Sequence, residues 1–215
     1  MDIFAHGLWT GVSYGALKRN AKRPVNLRLA VFCGVIPDIF AFTVPLVYMF
    51  WAVVFGGWNL GDFLGHTRIE PVAHEFPLYT LTNTLYGISH SLIVFVLVFI
   101  IVALVRKKIM WELGAWFLHI LIDIPTHSYA FFPTPFLWPI SDLRINGFAW
   151  SDPRFMVINY SLIAVSLLAL YLTRPRKKFF RANFLNNRKY LICSQYNGKK
   201  QKNNRAFGAP GQRNN

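Results

Sequence analysis

Residues 92–105 (LIVFVLVFIIVALV) are fourteen apolar positions in a row, and the uncharged stretch reaches back to Leu85, 21 residues in all. About 20 such residues span a hydrocarbon core, so the pattern predicts one crossing helix over 85–105. Residues 155–172 are eighteen without a charge, which predicts another. Residues 29–58 are thirty interrupted only by Asp38, with Pro37 and Pro45 inside. At 1.5 Å per residue they would measure roughly 45 Å against a core of about 30 Å, so this stretch is expected to kink or to fold back as a hairpin. Two weaker segments, 3–17 with His6 and 109–124 with Glu112, His119 and Asp123, fit spans or buried or interfacial helices. The expected architecture is all-α: an integral membrane bundle of about four to five helices over residues 1–173.

Composition sharpens this picture. The 215 residues are 54% hydrophobic and 15% charged, which excludes a disordered or collagen-like chain. Of the 23 Lys and Arg, twelve lie beyond Thr173 and none of the nine Asp and Glu does, so the net charge of +14 falls to +2 for residues 1–173. The basic balance therefore describes a tail, 174–215, expected to be disordered and cytoplasmic and able to meet anionic lipid. It gives no reason to expect nucleic-acid binding by the body. Cys33 and Cys193 have no metal-finger or disulfide spacing. The start, Met1-Asp2-Ile3, lacks the basic region of a secretory signal.

Charge placement sets an orientation. Lys18, Arg19, Lys22, Arg23 and Arg28, then Arg106, Lys107 and Lys108, then Arg174, Arg176, Lys177 and Lys178 share one side of a five-span arrangement. The other side mixes Arg68, Arg144 and Arg154 with Asp62, Glu70, Glu75, Asp142 and Asp152. By the positive-inside rule the N-terminus lies outside and the tail in the cytoplasm of a multi-pass protein of the cell's inner membrane.

Against that apolar background the titratable residues stand out. His6, Asp38, His90, His119 and Asp123 come from four segments, and each costs about 2.5–3.5 kcal/mol to bury in lipid unless it finds a partner. Counted at about 1.5 Å per residue from the nearest basic boundary, all five lie roughly 15–24 Å in, between the midplane and the outer face. His119 and Asp123 are four apart and share one helix face, and His127, four further on past Pro125, completes the set if the turn permits. Imidazole with carboxylate suits zinc, or iron or manganese, better than calcium. Local roles remain open as well: Asp38 as a helix cap, His90 bonded to Ser89 or Ser91, and Asp123 bonded to Thr126. His66, His74, Glu70 and Glu75 read as a solvated loop.

Asp2-Ile3-Phe4-Ala5-His6-Gly7-Leu8, Gly34-Val35-Ile36-Pro37-Asp38, Ser89-His90-Ser91-Leu92 and His119-Ile120-Leu121-Ile122-Asp123, with Leu137-Trp138-Pro139, resemble a bacterial family of inner-membrane-associated metal-dependent hydrolases, also described as LexA-regulated or LexA-binding. The likeness covers roughly residues 1–172. More distantly, the His-x3-Asp helix looks like that of the zinc-dependent phospholipase C and S1/P1 nuclease superfamily, whose members are all-helical. The resemblance implies His6, Asp38, His90, His119 and Asp123 as ligands, with His127 as the counterpart of the superfamily's next histidine. It also implies a cytoplasmic protein partner. Here the Asp123–His127 spacing is shorter than in the superfamily and no histidine follows His127, so one or two ions fit better than three.

The expected chemistry is metal-assisted hydrolysis of an ester or phosphodiester, with Asp38 or Asp123 orienting the water or taking its proton. A site in the outer half of the bilayer would suit membrane lipid or a lipid-linked phosphate. Trp138, Pro139, Arg144 and Trp150 are expected to border the entrance, with Arg144 as the substrate's phosphate partner. The alternatives are a non-enzymatic membrane protein with a structural His/Asp metal site, and a metal or proton transporter.

Overall fold

A computed structural model describes residues 1–20, 25–57, 73–75 and 78–173. The chain divides into two units, Met1–Leu172 and Thr173–Asn215. The basic tail, together with His66 and Glu70, lies outside the described residues. Among the described residues there is no strand, and six α-helices follow one another: α1 Ile3–Asn20, α2 Leu27–Phe55, α3 Tyr79–Ser89, α4 Leu92–Arg106, α5 Gly114–Thr126 and α6 Pro153–Leu172. Two 3-10 turns, Ala73–Glu75 and Trp111–Leu113, precede α3 and α5.

The central element is α2, which touches α1, α3 and α5. It runs unbroken for 29 residues through both prolines, so neither the hairpin nor a break at Pro37 occurs. Asn26 caps its start by accepting from Arg28 N and Leu29 N. Because the helix continues past Pro37, Asp38 is not a cap, and its side chain is free to face the bundle. Helix α1 closes on α2 through small residues: Ala5 and Ala30 are fully buried, and a Cβ on Gly34 would run into the Thr10 side chain. On its other flank α1 is tied to α6 by Trp9 Nε1 donating to Asn159 Oδ1 (2.9 Å) and Tyr160 OH donating to Asp2 Oδ1 (2.8 Å).

The expected single helix over 85–105 is two helices bent by 56°. His90 ends α3 at φ −109°, ψ 17°, and Ser91 is extended at φ −94°, ψ 128°. Ser91 Oγ caps α4 by accepting from Ile93 N and Val94 N, and its hydroxyl donates to Trp138 O. Leu92 N donates to Phe136 O (3.0 Å). The loop after α5 therefore takes over backbone groups that an unbroken helix would satisfy internally, and this break raises the helix count to six. The segment expected over 109–124 becomes a 3-10 turn and a thirteen-residue helix, about 20 Å long. Its turn is held by Tyr14 OH donating to Trp111 O (2.6 Å) and by Glu112 Oε1 accepting from Asn26 N (2.9 Å).

By length and composition α2 and α6 can cross a membrane, and the bent pair α3–α4 is a third crossing if counted as one. The described helices thus offer two or three crossings, which matches the three strong apolar segments and leaves 3–17 and 109–124 as the non-spanning helices that their sequence also allowed. Exposure follows the same division. Only Phe95 of α4 is buried, and Val96, Leu97, Ile100, Ile101, Leu104 and Val105 face outward.

Candidate metal centre

The six titratable side chains arrive from four places in the fold. His6 stands one turn into α1, and Asp38 follows Pro37 in α2. His90 sits at the α3–α4 break, His119 and Asp123 lie one turn apart on α5, and His127 is the extended residue that ends α5. All six converge and are buried; Asp38, at 7% exposed, is the most accessible of them.

Asp38, His90, His119 and Asp123 each offer one donor atom, and the four atoms lie within 4.8 Å of one another. His90 Nε2 and His119 Nε2 are 3.0 Å apart. Each stands 3.2 Å from Asp123 Oδ2, and they are 3.4 and 3.6 Å from Asp38 Oδ1. Donors placed about 2.0–2.2 Å from a tetrahedral ion are themselves roughly 3.3–3.6 Å apart, and these five edges lie close to that spacing. This buried Asp/His/His/Asp group could hold a metal ion.

The outer nitrogens fix the rings. His119 Nδ1 meets Gly34 O at 2.8 Å, His90 Nδ1 meets Ser89 Oγ at 2.9 Å and Tyr86 O at 3.2 Å, and His127 Nδ1 meets Phe131 O at 3.1 Å. A carbonyl only accepts, so each Nδ1 carries a hydrogen and each ring turns its Nε2 inward. His90 and His119 then face each other Nε2 to Nε2, a contact that needs a cation or a proton between them. Unpaired atoms collect here too. Of seven buried side-chain N and O atoms without a hydrogen-bond partner among the described residues, four are His6 Nδ1, His6 Nε2, Asp38 Oδ2 and Asp123 Oδ2. Such a concentration of orphaned donors and acceptors fits a site built for an ion.

Asp123 divides its two oxygens. Oδ2 faces His90 and His119, while Oδ1 lies 2.9 Å from His6 Nε2 and 3.4 Å from His127 Nε2. The Met1 amino nitrogen joins this second face, 2.5 Å from Asp123 Oδ1 and 2.7 Å from His127 Nε2. No hydrophobic pattern marks that participant, and sequence reasoning did not find it. Burial, reinforced by the Met1 amino group, pushes the His127 pKa down and keeps the ring neutral. His6 stacks on His119 with ring centroids 3.7 Å apart, and Tyr86 stacks on His90 at the same distance.

Arg144 is not part of this group. It lines a separate cavity with His74, which is exposed. The expected entrance residues also divide. Trp138 packs over Gly87, and Trp150 lies against Phe131 in the core, so both serve packing. Of the local roles left open, His90 does bond Ser89, whereas Thr126 Oγ1 donates to Ile122 O (2.9 Å) and not to Asp123. No family model, curated protein or solved structure matches the chain.

Proposed function

We propose that the chain is a membrane-embedded, metal-dependent hydrolase acting on an ester or phosphodiester bond, with lipid or a lipid-linked phosphate as substrate. The observation that carries this reading is the division of Asp123, whose two oxygens address two different sets of imidazoles. A structural ion needs about four donors, and this cluster gathers more. Zinc is the first choice for the His/Asp set, as one ion or two sharing Asp123. His90, His119, Asp38 and Asp123 would hold one ion, and His6, His127 and Asp123 line the second face. A cation bound there supplies Lewis acidity and lowers the pKa of water toward about 7. The chain's own contribution is to fix His90, His119 and His127 through Nδ1, to exclude bulk water, and to offer Asp38 Oδ2 as proton acceptor. That oxygen lacks a hydrogen bond and belongs to the most accessible member of the group.

The outward apolar faces of α4 and α6 support an integral membrane bundle, because side chains such as Val105 (76% exposed) and Leu172 (70%) need an apolar surrounding. The motif resemblance to inner-membrane hydrolases agrees and brings with it a cytoplasmic protein partner, while the positive-inside rule supplies the outside N-terminus and the cytoplasmic basic tail. A structural metal site is the second reading, favoured by the four-donor cage, which in tetrahedral geometry leaves no open position.

Metal analysis of the purified chain and of His119→Ala and Asp123→Ala, paired with turnover of a phosphodiester and a carboxylic ester, tests the assignment. Loss of metal and turnover together supports the hydrolase. Unchanged metal in both variants removes it. Metal loss in the variants with no turnover by the native chain selects the structural role.

A further inference from the structure

One aromatic layer from the cluster lies a cavity of about 300 Å³. Phe132 forms the partition. Its ring centroid is 5.6 Å from that of Tyr86, which stacks on His90 at 3.7 Å. Phe132 holds a left-handed backbone, φ 43°, which a bulky residue rarely adopts, so the surrounding packing fixes the partition in place.

The remaining walls are chemically one-sided. Arg144 contributes a cation, His74, Tyr79, Asn83 and Tyr129 contribute polar groups, and among the described residues no carboxylate lines the space. Arg144 has no ion-pair partner among the described residues. Its segment is held in place from Tyr129, whose hydroxyl donates to Arg144 O (3.1 Å) and whose N–H donates to Asn146 Oδ1 (2.9 Å). Arg144 thus lines the cavity from an anchored main chain, and no described carboxylate pairs with it. Tyr79 opens α3, and Leu78 before it supplies no side-chain cap, so the positive end of that helix adds to the same field.

Size and rim narrow the ligand further. Small-molecule pockets run from roughly 300 to 1,000 Å³, so this one admits a phosphate with a short polar substituent and not an acyl chain as well. Beside Tyr79, Leu78 and Leu81 are each 42% exposed and give an acyl chain an apolar surface outside. We propose that this cavity is an anion site that binds a phosphate group through Arg144, independently of the His/Asp cluster. The role as the substrate's head-group pocket rests on the hydrolase reading; the binding itself does not.

The test is calorimetric titration of the full chain in a non-ionic detergent, stripped of metal by chelation. The probes are inorganic phosphate, dihexanoyl phosphatidylglycerol, and dihexanoylglycerol, which lacks the phosphate. At least one phosphate probe should bind, with affinity falling tenfold or more in Arg144→Gln, recovering in part in Arg144→Lys, and holding within about twofold in His119→Ala. Inorganic phosphate binding as tightly as the phospholipid identifies free phosphate as the ligand, and binding of the phospholipid alone identifies the lipid head group. Binding of neither phosphate probe overturns the proposal, as does equal binding of dihexanoylglycerol and the phospholipid, or loss of binding in His119→Ala with Arg144→Gln unaffected. Because metal is absent throughout, the result stands apart from the metal-content test of the hydrolase reading.

Discussion

His90 and His119 meet Nε2 to Nε2 at 3.0 Å, each ring having committed its other nitrogen to a main-chain carbonyl. Two Nε2 atoms so held need a proton or a cation between them, and two buried carboxylates stand beside them. The arrangement is thus least stable when empty. Chelation should lower the thermal midpoint of the purified protein, and zinc added at about a hundred times its dissociation constant should restore about 2.7 kcal/mol. Melting curves followed by circular dichroism check this. No shift on chelation of a metal-loaded sample would mean that the cluster is stable without a cation.

Asp123 and Asp38 should differ when each is made neutral. Asp123→Asn removes charge from both faces of the cluster, whereas Asp38→Asn leaves His90, His119 and Asp123 in place. Metal content should be lost in the first variant. It should persist in the second with affinity reduced by more than the roughly 10- to 100-fold seen when only a residue supporting a ligand is lost, since Asp38 is itself one of the four donors. If Asp38 accepts the proton, turnover of metal-loaded Asp38→Asn falls more than its metal content does.

Ser91 fixes the break that turns His90 inward. Ser91→Ala removes the cap on Ile93 N and Val94 N and the bond to Trp138 O. A lost cap costs about 1 kcal/mol, so the melting temperature should fall, and metal affinity with it as His90 loosens. Equal metal affinity in variant and native protein would show that His90 is held by other contacts, Tyr86 stacking foremost.

These contacts also show what the sequence makes visible. Long apolar runs located α2, α4 and α6 because burial in an apolar setting leaves a local, contiguous mark. The i, i+4 spacing of His119 and Asp123 was equally legible, and a common depth pointed to His6, Asp38 and His90. The break after His90 was hidden because its cause, Trp138 O and Phe136 O, lies more than 40 positions away. The continuity of α2 through Pro37 was hidden for a similar reason: neighbours on several sides hold the helix straight enough to continue. Met1 entered the cluster by tertiary placement alone, and Arg144 proved to serve a different space from the imidazoles.

Orientation gives a separate prediction. Basic residues cluster at the C-terminal end of α1, at the end of α4 and beyond α6, and in the five-span arrangement expected from the sequence, in which α1 and α5 cross as well as α2, the bent pair and α6, the positive-inside rule places all three on the cytoplasmic face. A phosphatase reporter, active only outside the membrane, should stay silent when fused after Arg174, and a fluorescent reporter folded only in the cytoplasm should light up. The opposite pair of signals would reverse the assignment. It would also place the basic tail where it meets no cytoplasmic partner.

Gly34 couples the helix packing to the His/Asp cluster most directly. Its missing side chain lets α1 approach α2 at Thr10, and its carbonyl accepts from His119 Nδ1 at 2.8 Å. A methyl group at this position collides with Thr10, and overpacking of this kind costs about 1–3 kcal/mol. Since α1 also carries His6, the strain moves two of the cluster's imidazoles at once. Gly34→Ala should therefore lower both thermal stability and metal affinity. Thr10→Ala, which removes the colliding hydroxyl and methyl groups, should recover part of each in the double variant. A double variant no better than Gly34→Ala would mean that the loss comes from elsewhere than the α1–α2 contact. Recovery of stability without recovery of metal binding would place His119's orientation on contacts other than the Gly34 carbonyl.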